Sequence, residues 1–324
     1  MKQQKVLYLS RRDVEDIDLP MAEIIEALEQ MFVEKGSGKT QMPPKPSIYP
    51  APLGFMHAMP ACIPSLQFAG VKWVAGYQDN PSKGLPYISG LLILNDAHTG
   101  LPVCVMDCTW VTAKRTGAAT AVAAKYLARP DASRLGIIAC GVQGRSNLEA
   151  LMCLFPIQSV HAYDIDPGRA QAYAREIQAR YGIEVQIVSS PEQAVRGRDL
   201  VVTSGPIAKN PQPVIEPGWL APGAFASLVD FDSYWTGAAL READKLVTDD
   251  LTQMAFYRRE GYFQDTPEAY ADLGEIVSGC KAGRESETER TIAMNLGLAL
   301  DDIATGVRIY QRAVALGVGI DLPL

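Results

Sequence analysis

The chain has 324 residues, of which 48% are hydrophobic and 21% charged, and its formal net charge is −7. This length exceeds the size at which one hydrophobic core usually stops growing, so it predicts two domains. The acidic balance argues against nucleic-acid binding, which needs a clustered excess of Lys and Arg. No apolar run is long enough to span a bilayer, and residues 1–10 lack the apolar core of a signal peptide. We therefore expect a cytoplasmic protein that does not enter a membrane.

The cysteines and histidines show no spacing typical of a metal site or a redox motif. Six cysteines and three histidines are scattered along the chain, without a C-x-x-C pair. We expect the cysteines to be small, reduced core residues, and we expect no bound metal.

The first part of the chain predicts a helix followed by an antiparallel sheet. Residues 20–35 carry apolar side chains at helical spacing. Residues 42–52 hold five prolines and predict an extended or looped segment. Strand patterns follow at residues 55–59, 68–77, 87–95 and 103–107, and an Ala-rich stretch at residues 109–128 predicts a closely packed helix.

The second part alternates strand and helix patterns, which indicates βαβ crossovers and a parallel sheet. Strands are predicted at 134–140, 159–164, 184–188, 199–203, 224–229 and 245–248, helices at 143–155, 167–181 and 191–195, and a long helical stretch after Thr288, to about residue 315. The predicted fold class is α/β, with a Rossmann-type parallel-sheet domain at 131–299. An antiparallel α+β domain, formed by 1–130 with 300–324, would bind substrate and dimerise.

The segment from Leu135 to Gly144 is an apolar strand that leads into a glycine-containing turn and a helix, where backbone N–H groups can bind a pyrophosphate. Ala139 stands where the first glycine of G-x-G-x-x-G would be, so a plain strand-to-helix turn is an alternative.

Asp164 follows the next strand, 20 residues after Gly144, where a carboxylate binds ribose hydroxyls and disfavours a 2′-phosphate. The alternative is that Asp164 only caps the next helix with Asp166. We predict NAD(H) rather than NADP(H), in a site that includes Arg115, Thr116, Gly141, Val142, Gln143, Gly144, Asp164, Asp166, Thr203, Ser204 and Asn295.

Charged residues in apolar or small-residue surroundings are the candidates for substrate chemistry. Lys72 lies in a predicted strand on the side of Val74, and burial there would need an anionic partner, which a substrate could supply. Arg115 lies among small residues and presents a fork that matches a carboxylate. Asp230 and Asp232 follow a predicted strand and could transfer protons. The alternatives are an edge lysine, an exposed helical arginine and two solvated aspartates.

Five motifs in this order are similar to those of the ornithine cyclodeaminase and mu-crystallin family, from the first helix to the C-terminus. They are Gly70-Val-Lys-Trp-Val74, Thr112-Ala-Lys-Arg-Thr-Gly-Ala-Ala-Thr120, Cys140-Gly-Val-Gln-Gly144, Tyr163-Asp-Ile-Asp-Pro167 and Gly297-Leu-Ala-Leu-Asp-Asp302. The resemblance implies a homodimer whose sheet domain forms the subunit interface, with the substrate between that domain and the Rossmann domain.

The resemblance also implies roles for individual residues. Lys45, Lys72 and Arg115 would hold the substrate carboxylate, Asp232 would assist the chemistry, and Asn295 would lie in the nicotinamide region. This chain has Lys45 where arginine is common and Asn295 where serine often stands, and it lacks the glycine-rich, lysine-bearing pattern after Asp232. These departures favour a substrate other than ornithine.

Three functions remain open from the sequence. The first is an NAD(H)-dependent imine reductase or amino acid dehydrogenase, with Lys72 and Asp232 as catalytic residues and a small amino or imino acid as substrate. The second is an ornithine or lysine cyclodeaminase that uses bound NAD catalytically, and the third is a dinucleotide-binding protein without activity. We expect the pocket wall to include Met56, His57, Met59, Tyr77 and Tyr234.

Overall fold

The computed structural model describes residues 4–52 and 54–324, so the first three residues of the segment tested for a signal peptide lie outside it. The chain divides into two compact units, Met1–Arg115 with Leu298–Leu324, and Thr116–Gly297. This division falls at residue 115, whereas the sequence predicts a domain boundary near residue 130. Within the described part of the chain, no helix combines the length and apolar content needed to cross a bilayer.

Strands and helices occur in all three segments that make up the two units. The segment before the second unit contains β1 (Lys5–Leu9), α1 (Arg11–Ile17), α2 (Met21–Gly36), β2 (Ser47–Ala51), β3 (Gly54–Ile63), β4 (Phe68–Tyr77), β5 (Ile88–Asp96), β6 (Pro102–Asp107) and α3 (Thr109–Leu127), which continues into that unit. The second unit contains β7 (Arg134–Ile138), α4 (Val142–Met152), β8 (Ser159–Tyr163), α5 (Pro167–Tyr181), β9 (Glu184–Ile187), α6 (Pro191–Val195), β10 (Leu200–Thr203), β11 (Phe225–Leu228), α7 (Gly237–Leu240), β12 (Lys245–Thr248), α8 (Leu251–Arg259), β13 (Ala271–Asp272), α9 (Leu273–Val277) and β14 (Thr291–Met294). The C-terminal segment contains α10 (Ala299–Leu316) and β15 (Ile320–Pro323).

The first unit is built on a seven-stranded sheet with the order β15-β1-β6-β5-β4-β3-β2. Neighbouring strands are antiparallel except for β1 and β6, which pair in parallel. Helix α10 packs on β3, β4 and β5 and also contacts α2. Alternation along β4 decides which side chains face the core, since Lys72 and Val74 are buried whereas Trp73 is 41% exposed.

The second unit is built on an eight-stranded parallel sheet with the order β13-β12-β14-β11-β10-β7-β8-β9. Strand order reverses between β7 and β10. On one side of β7 the sheet continues with β8 and β9, and on the other side it continues with β10 and β11. A parallel sheet of this kind opens its ligand crevice at the carboxyl ends of the strands beside the reversal. The predicted fold class is therefore confirmed.

The prediction of helix throughout the stretch from Thr288 to about residue 315 is wrong in its first part. Residues Thr291–Met294 form β14, which pairs with β11 and β12, and the helix begins only at Ala299. All four residues of β14 are buried. A short strand covered on both faces has a continuous apolar pattern, which periodicity alone does not distinguish from the start of a buried helix.

Candidate functional site

Lys72 is a fully buried cation in the middle of the first sheet. Its side chain is 1% exposed, and its Nζ atom lies 2.7 Å from Asp302 Oδ2 and 3.4 Å from Thr112 Oγ1. The sequence indicated that a buried lysine here needs an anionic partner, which a substrate could supply. In the structure the chain itself supplies one such anion, the carboxylate of Asp302. The alternative of an edge lysine that reaches solvent is excluded.

Arg115, on α3, contacts the same pair of carboxylates. Its Nε atom lies 3.1 Å from Asp302 Oδ1, and its Nη1 atom lies 3.4 Å from Asp301 Oδ2. Asp301 Oδ2 also accepts a hydrogen bond from the Leu298 amide at 3.0 Å, which caps α10. The arginine side chain is 8% exposed, so the alternative of an exposed helical charge is wrong. Two cations and two carboxylates from β4, α3 and α10 thus form one buried group, which we call the ion cluster (Lys72, Arg115, Asp301 and Asp302).

Lys45 and His57 are two further ionisable residues in the first unit that are linked electrostatically to Lys72. Lys45 is 7% exposed and lies between two prolines, just before β2. Burial, together with the charges of Lys45 and Lys72, lowers the pKa of His57 to about 3, so its imidazole is neutral near pH 7. Its ring also stacks against Phe55, with 4.4 Å between the ring centroids. The sequence reasoning placed this histidine in the pocket wall without assigning it a charge state.

Burial changes the acid–base behaviour of the ion cluster. It lowers the pKa of Lys72, and the neighbouring Asp302 opposes that change. Burial raises the pKa of Asp301 to about 6, against the opposing charge of Arg115. The carboxyl groups of Asp301 and Asp302 lie beside the two cations, which lowers the cost of holding those cations in the protein interior.

The sheet register decides which pocket-wall candidates share the face of Lys72. Met59 pairs directly with Lys72, and His57 pairs with Val74, so both lie on the buried face. Met56 pairs with Ala75 of β4. Ala75 and Tyr77 lie two and four residues after Trp73, so they share its face of the strand. Alternation therefore places Met56 and Tyr77 on the opposite face, away from the ion cluster.

The predicted phosphate-binding turn lies at the reversal point of the second sheet. Ala139 has φ +73°, a left-handed conformation, at the position where glycine was expected. Gly141 is at the N-cap position of α4, where no side chain accepts a hydrogen bond from the first amides, and a Cβ atom there would meet no heavy atom of the described residues within 4 Å. A Cβ atom on Gly144 would lie 2.7 Å from the Ala139 carbonyl oxygen, so strand and helix approach closely. The turn therefore leaves free space in front of uncapped N–H groups at the start of an 11-residue helix.

Asp164 holds this turn from the neighbouring strand. Its carboxylate accepts hydrogen bonds from the Cys140 amide at 2.8 Å and the Asp166 amide at 2.9 Å. Asp166 itself caps α5 by accepting from the Gly168 amide. The capping alternative thus applies to Asp166 and not to Asp164. Ile165, which the sequence reasoning did not single out, is 89% exposed between them and offers an apolar surface beside the carboxylate.

The carboxyl end of β10 is tied to Asp230. Thr203 Oγ1 donates to Asp230 Oδ1 at 2.7 Å, and the Gly205 amide donates to Oδ2 at 2.9 Å. Ser204 Oγ donates to the Ala139 carbonyl at 3.2 Å. Asp230 has no exposed surface, and burial raises its pKa to about 7. The alternative of a solvated aspartate is therefore wrong.

Asp232 lies two residues further on, beyond Phe231, whose φ of +61° is unusual for a bulky side chain. Thr266 Oγ1 donates to Asp232 Oδ2 at 2.9 Å, while the buried Oδ1 atom has no hydrogen-bond partner among the described residues. Burial raises the pKa of this carboxyl group. Tyr234 follows in the same loop, and its hydroxyl lies 2.0 Å from where a Cβ atom on Gly205 would be.

Asn295 follows β14 and joins a buried polar group. Its amide nitrogen donates to Ser227 Oγ at 3.0 Å and to Thr120 Oγ1 at 3.3 Å. Its Oδ1 atom is buried, and no residue in the described part of the chain donates a hydrogen bond to it. Thr116, also predicted to contact the cofactor, is buried on α3.

These features test whether the second unit fits a dinucleotide. The uncapped start of α4, the free space at Gly141 and the carboxylate at the end of β8 match the pyrophosphate and ribose requirements. The buried Asn295 Oδ1 offers an acceptor for a carboxamide. The residues present therefore fit the group. Within residues 4–52 and 54–324, no group of three or more His, Cys, Asp or Glu side chains is arranged to hold a metal ion.

The comparisons with known proteins agree with this geometry. The family model of the ornithine cyclodeaminase/mu-crystallin family matches residues 4–317. The chain is 36% identical to alanine dehydrogenase of Archaeoglobus fulgidus, over 97% of each chain. A structure of Thermococcus litoralis Δ1-pyrroline-2-carboxylate reductase in complex with NADH and L-proline is similar with a TM-score of 0.88 and 34% identity, covering 98% of this chain and 100% of that one. An archaeal alanine dehydrogenase dimer with bound NAD is similar with a TM-score of 0.88 and 35% identity, covering 99% and 100%.

Proposed function

Because this chain belongs to the ornithine cyclodeaminase/mu-crystallin family, we propose that it is an NAD(H)-dependent imine reductase or amino acid dehydrogenase acting at the α-carbon of a small amino or imino acid. The observation that carries the proposal is the ion cluster, which holds two buried cations. The same chain has a second sheet whose strand-to-helix turn before α4 fits a dinucleotide. Two similar proteins of known structure are a reductase with bound NADH and L-proline and an alanine dehydrogenase with bound NAD, which supports this reaction class.

The substrate carboxylate is assigned to Lys45, Lys72 and Arg115. A planar guanidinium and a compact ammonium group together fix both the position and the orientation of a carboxylate. Fixing the carboxylate also fixes the adjacent α-carbon, which reduces the entropic cost of reaching the reactive geometry. The aliphatic surface of Met59, directly opposite Lys72, favours an apolar substrate side chain.

NAD(H), when bound, supplies the hydride donor or acceptor. We assign its pyrophosphate to the backbone of Gly141, Val142, Gln143 and Gly144, and its adenosine ribose to Asp164, with Asp166 beside it. We also assign to the cofactor site five further residues, Arg115, Thr116, Thr203, Ser204 and Asn295. A carboxylate at position 164 repels a 2′-phosphate, which is why NAD(H) is preferred to NADP(H).

Asp232 is assigned as the proton-transfer group. Its raised pKa brings the carboxyl group closer to neutral pH, where an acid can both hold and release a proton. Thr266 fixes one oxygen, and the other, Oδ1, keeps its hydrogen-bonding capacity for the substrate nitrogen. Asp230, by contrast, uses both oxygens to hold β10 and is assigned a structural role.

We also propose that the protein is a cytoplasmic homodimer. One face of the first sheet exposes Ile48, Trp73 and Leu91, which the register places on one side of β2, β4 and β5. Exposed apolar side chains in a contiguous patch are typical of a protein interface. The similar archaeal alanine dehydrogenase is described as a dimer.

The test follows NADH absorbance and free ammonia in parallel. Purified protein is incubated with 2-oxoacids plus ammonia or methylamine, with cyclic imines, and with ornithine and lysine. Net NADH oxidation that is lost when Lys72 or Asp232 is substituted supports the proposal. Ammonia release from diamino acids without net NADH change would replace it with the cyclodeaminase function, and NADH binding without turnover of any compound would leave a dinucleotide-binding protein.

A further inference from the structure

Asp302 is bound to both cations of the proposed carboxylate site. Its Oδ2 atom lies 2.7 Å from Lys72 Nζ and its Oδ1 atom 3.1 Å from Arg115 Nε, so each oxygen serves one cation. The exposed fractions of the three side chains are 1% for Lys72, 8% for Arg115 and 0% for Asp302. This single carboxylate joins β4, α3 and α10.

We propose that Asp302 is a positioning residue that fixes Lys72 and Arg115 in one arrangement and maintains the positive charge of Lys72, so that both cations can bind the substrate carboxylate. This inference rests on the proposed function. The geometry supports it, because a long lysine side chain and a guanidinium would otherwise each lose rotamer freedom on binding the ligand.

The charge of Lys72 depends on the groups that face it. Asp302, Asp301 and Cys108 are the anionic or ionisable groups around it, Arg115 is the neighbouring cation, and His57 is neutral at working pH. Burial lowers the pKa of Lys72, and Asp302 is the strongest opposing influence. Without Asp302, the lysine would lose its proton at a lower pH.

The direction of the pH effect follows from this. Binding of an anion needs the charged lysine, so affinity falls as the pH rises through the pKa of Lys72. Removing Asp302 moves this loss of affinity to lower pH. At a fixed pH above the lysine pKa of both proteins, the affinity falls by about tenfold for each unit by which the pKa is lowered.

Asp301 provides the matched control. It lies next to Asp302 in the first turn of α10, is equally buried, and contacts Arg115 and the Leu298 amide. Asp301→Asn therefore disturbs the same helix start and removes a carboxylate from the same cluster, but it leaves the ion pair between Lys72 and Asp302. A purely structural role would make the Asp301 and Asp302 variants alike.

The experiment measures the affinity of the NAD(H)-loaded protein for L-proline and L-alanine by calorimetry from pH 6 to pH 9, alongside pH profiles of kcat and KM for any compound turned over. Asp302→Asn is expected to bind at least about tenfold more weakly at pH 8 than the native protein, with a smaller deficit at pH 6. Asp302→Glu should restore part of the affinity. Asp301 has a pKa of about 6, so Asp301→Asn should keep the native pH dependence of the affinity from pH 8 to pH 9, where native Asp301 is already ionised.

Each other outcome overturns the inference in a recognisable way. Native-like or tighter binding by Asp302→Asn at every pH overturns the role of Asp302 while leaving the proposed function intact. Equal pH displacement in the Asp301 and Asp302 variants overturns the specific role of Asp302. Failure of the native protein to bind either amino acid, with no turnover, overturns the proposed function and this inference together.

Discussion

Asp230 shows how a single buried carboxyl group links local structure to pH. Its two oxygens accept hydrogen bonds from Thr203 and Gly205, and burial raises its pKa from 3.8 to about 7. In the unfolded chain the group has its ordinary pKa. Between pH 4 and pH 7 the folded protein therefore binds more protons than the unfolded chain, so this group makes the free energy of unfolding fall as the pH rises.

Replacing Asp230 with Asn removes this titration. One hydrogen bond is lost at every pH, but the amide does not have to be ionised in the interior. We expect the free energy of unfolding of Asp230→Asn, relative to the native protein, to rise by on the order of 2 kcal/mol between pH 5 and pH 8. Urea denaturation at both values measures it, with the exposed Asp79→Asn as control. A pH-independent difference would contradict the raised pKa.

Ala139 is a residue whose backbone conformation can be tested directly. A left-handed φ of +73° costs an alanine about 1 kcal/mol, and glycine adopts it freely at the expense of more entropy in the unfolded chain. We expect Ala139→Gly to leave the stability unchanged or raise it by up to about 1 kcal/mol. Ala172→Gly, on an exposed position of α5, should instead lower stability by about 0.5–1 kcal/mol. Thermal unfolding compares the two, and an equal loss in both variants would show that the turn carries no strain.

The elements around the turn explain how much of the cofactor site the sequence could predict. Strand β7, α4 and β8 follow each other within about thirty residues, so the glycines and Asp164 could be placed by spacing alone. The left-handed Ala139 and the bonds from Asp164 to Cys140 and Asp166 could not, because they depend on the exact path of the backbone. Local order along the chain is visible in a sequence, whereas hydrogen-bond partners are not.

The preference for NAD(H) belongs to this strand–turn–helix element. In Asp164→Ser the carboxylate is removed while a short polar group remains near the Cys140 amide. We expect the ratio of NADPH to NADH affinity to rise at least about tenfold, because the repulsion of a 2′-phosphate disappears. Fluorescence titration with both cofactors measures the ratio. Asp131→Ser is the control, because this exposed acid precedes the amino end of β7, whereas Asp164 follows the carboxyl end of β8. An unchanged ratio in Asp164→Ser would refute the role of this carboxylate.

Helix α10 shows where prediction at the element scale fails. The sequence supplied Lys72 and Arg115 as candidates because charges in apolar or small-residue surroundings stand out. Asp301 and Asp302 were missed as their partners, although two adjacent acids at the start of an apolar helix were a usable signal. Nearly two hundred residues separate Arg115 from Asp301, and only the return of the chain to the first unit brings them together. Strand β14 lies just before α10 and was predicted as part of the same helix, so the start of the helix was placed too early.

The whole chain has a nested arrangement, in which both ends form the first unit and the middle forms the second. The resemblance to a known family implied this arrangement, whereas composition and length indicated only that two domains were expected. In the described structure, β1 is central to the connection, because it pairs with β15 from the C-terminus and with β6. The first unit, and with it the ion cluster, therefore depends on the last residues of the chain.

The proposed homodimer is tested on the exposed face of the first sheet. Trp73 and Leu91 are directly paired in the register, and their exposed fractions are 41% and 42%. Leu91→Arg places an unpaired charge within this apolar patch, directly beside Trp73, so association should weaken by at least about a hundredfold, or about 2.7 kcal/mol. Sedimentation velocity over a range of concentrations measures the dissociation constant. Leu316→Arg, at the end of α10 and 61% exposed, should leave association unchanged. If Leu91→Arg remains as strongly dimeric as the native protein, the subunits meet through another surface, and the exposed apolar face of the first sheet needs a different partner.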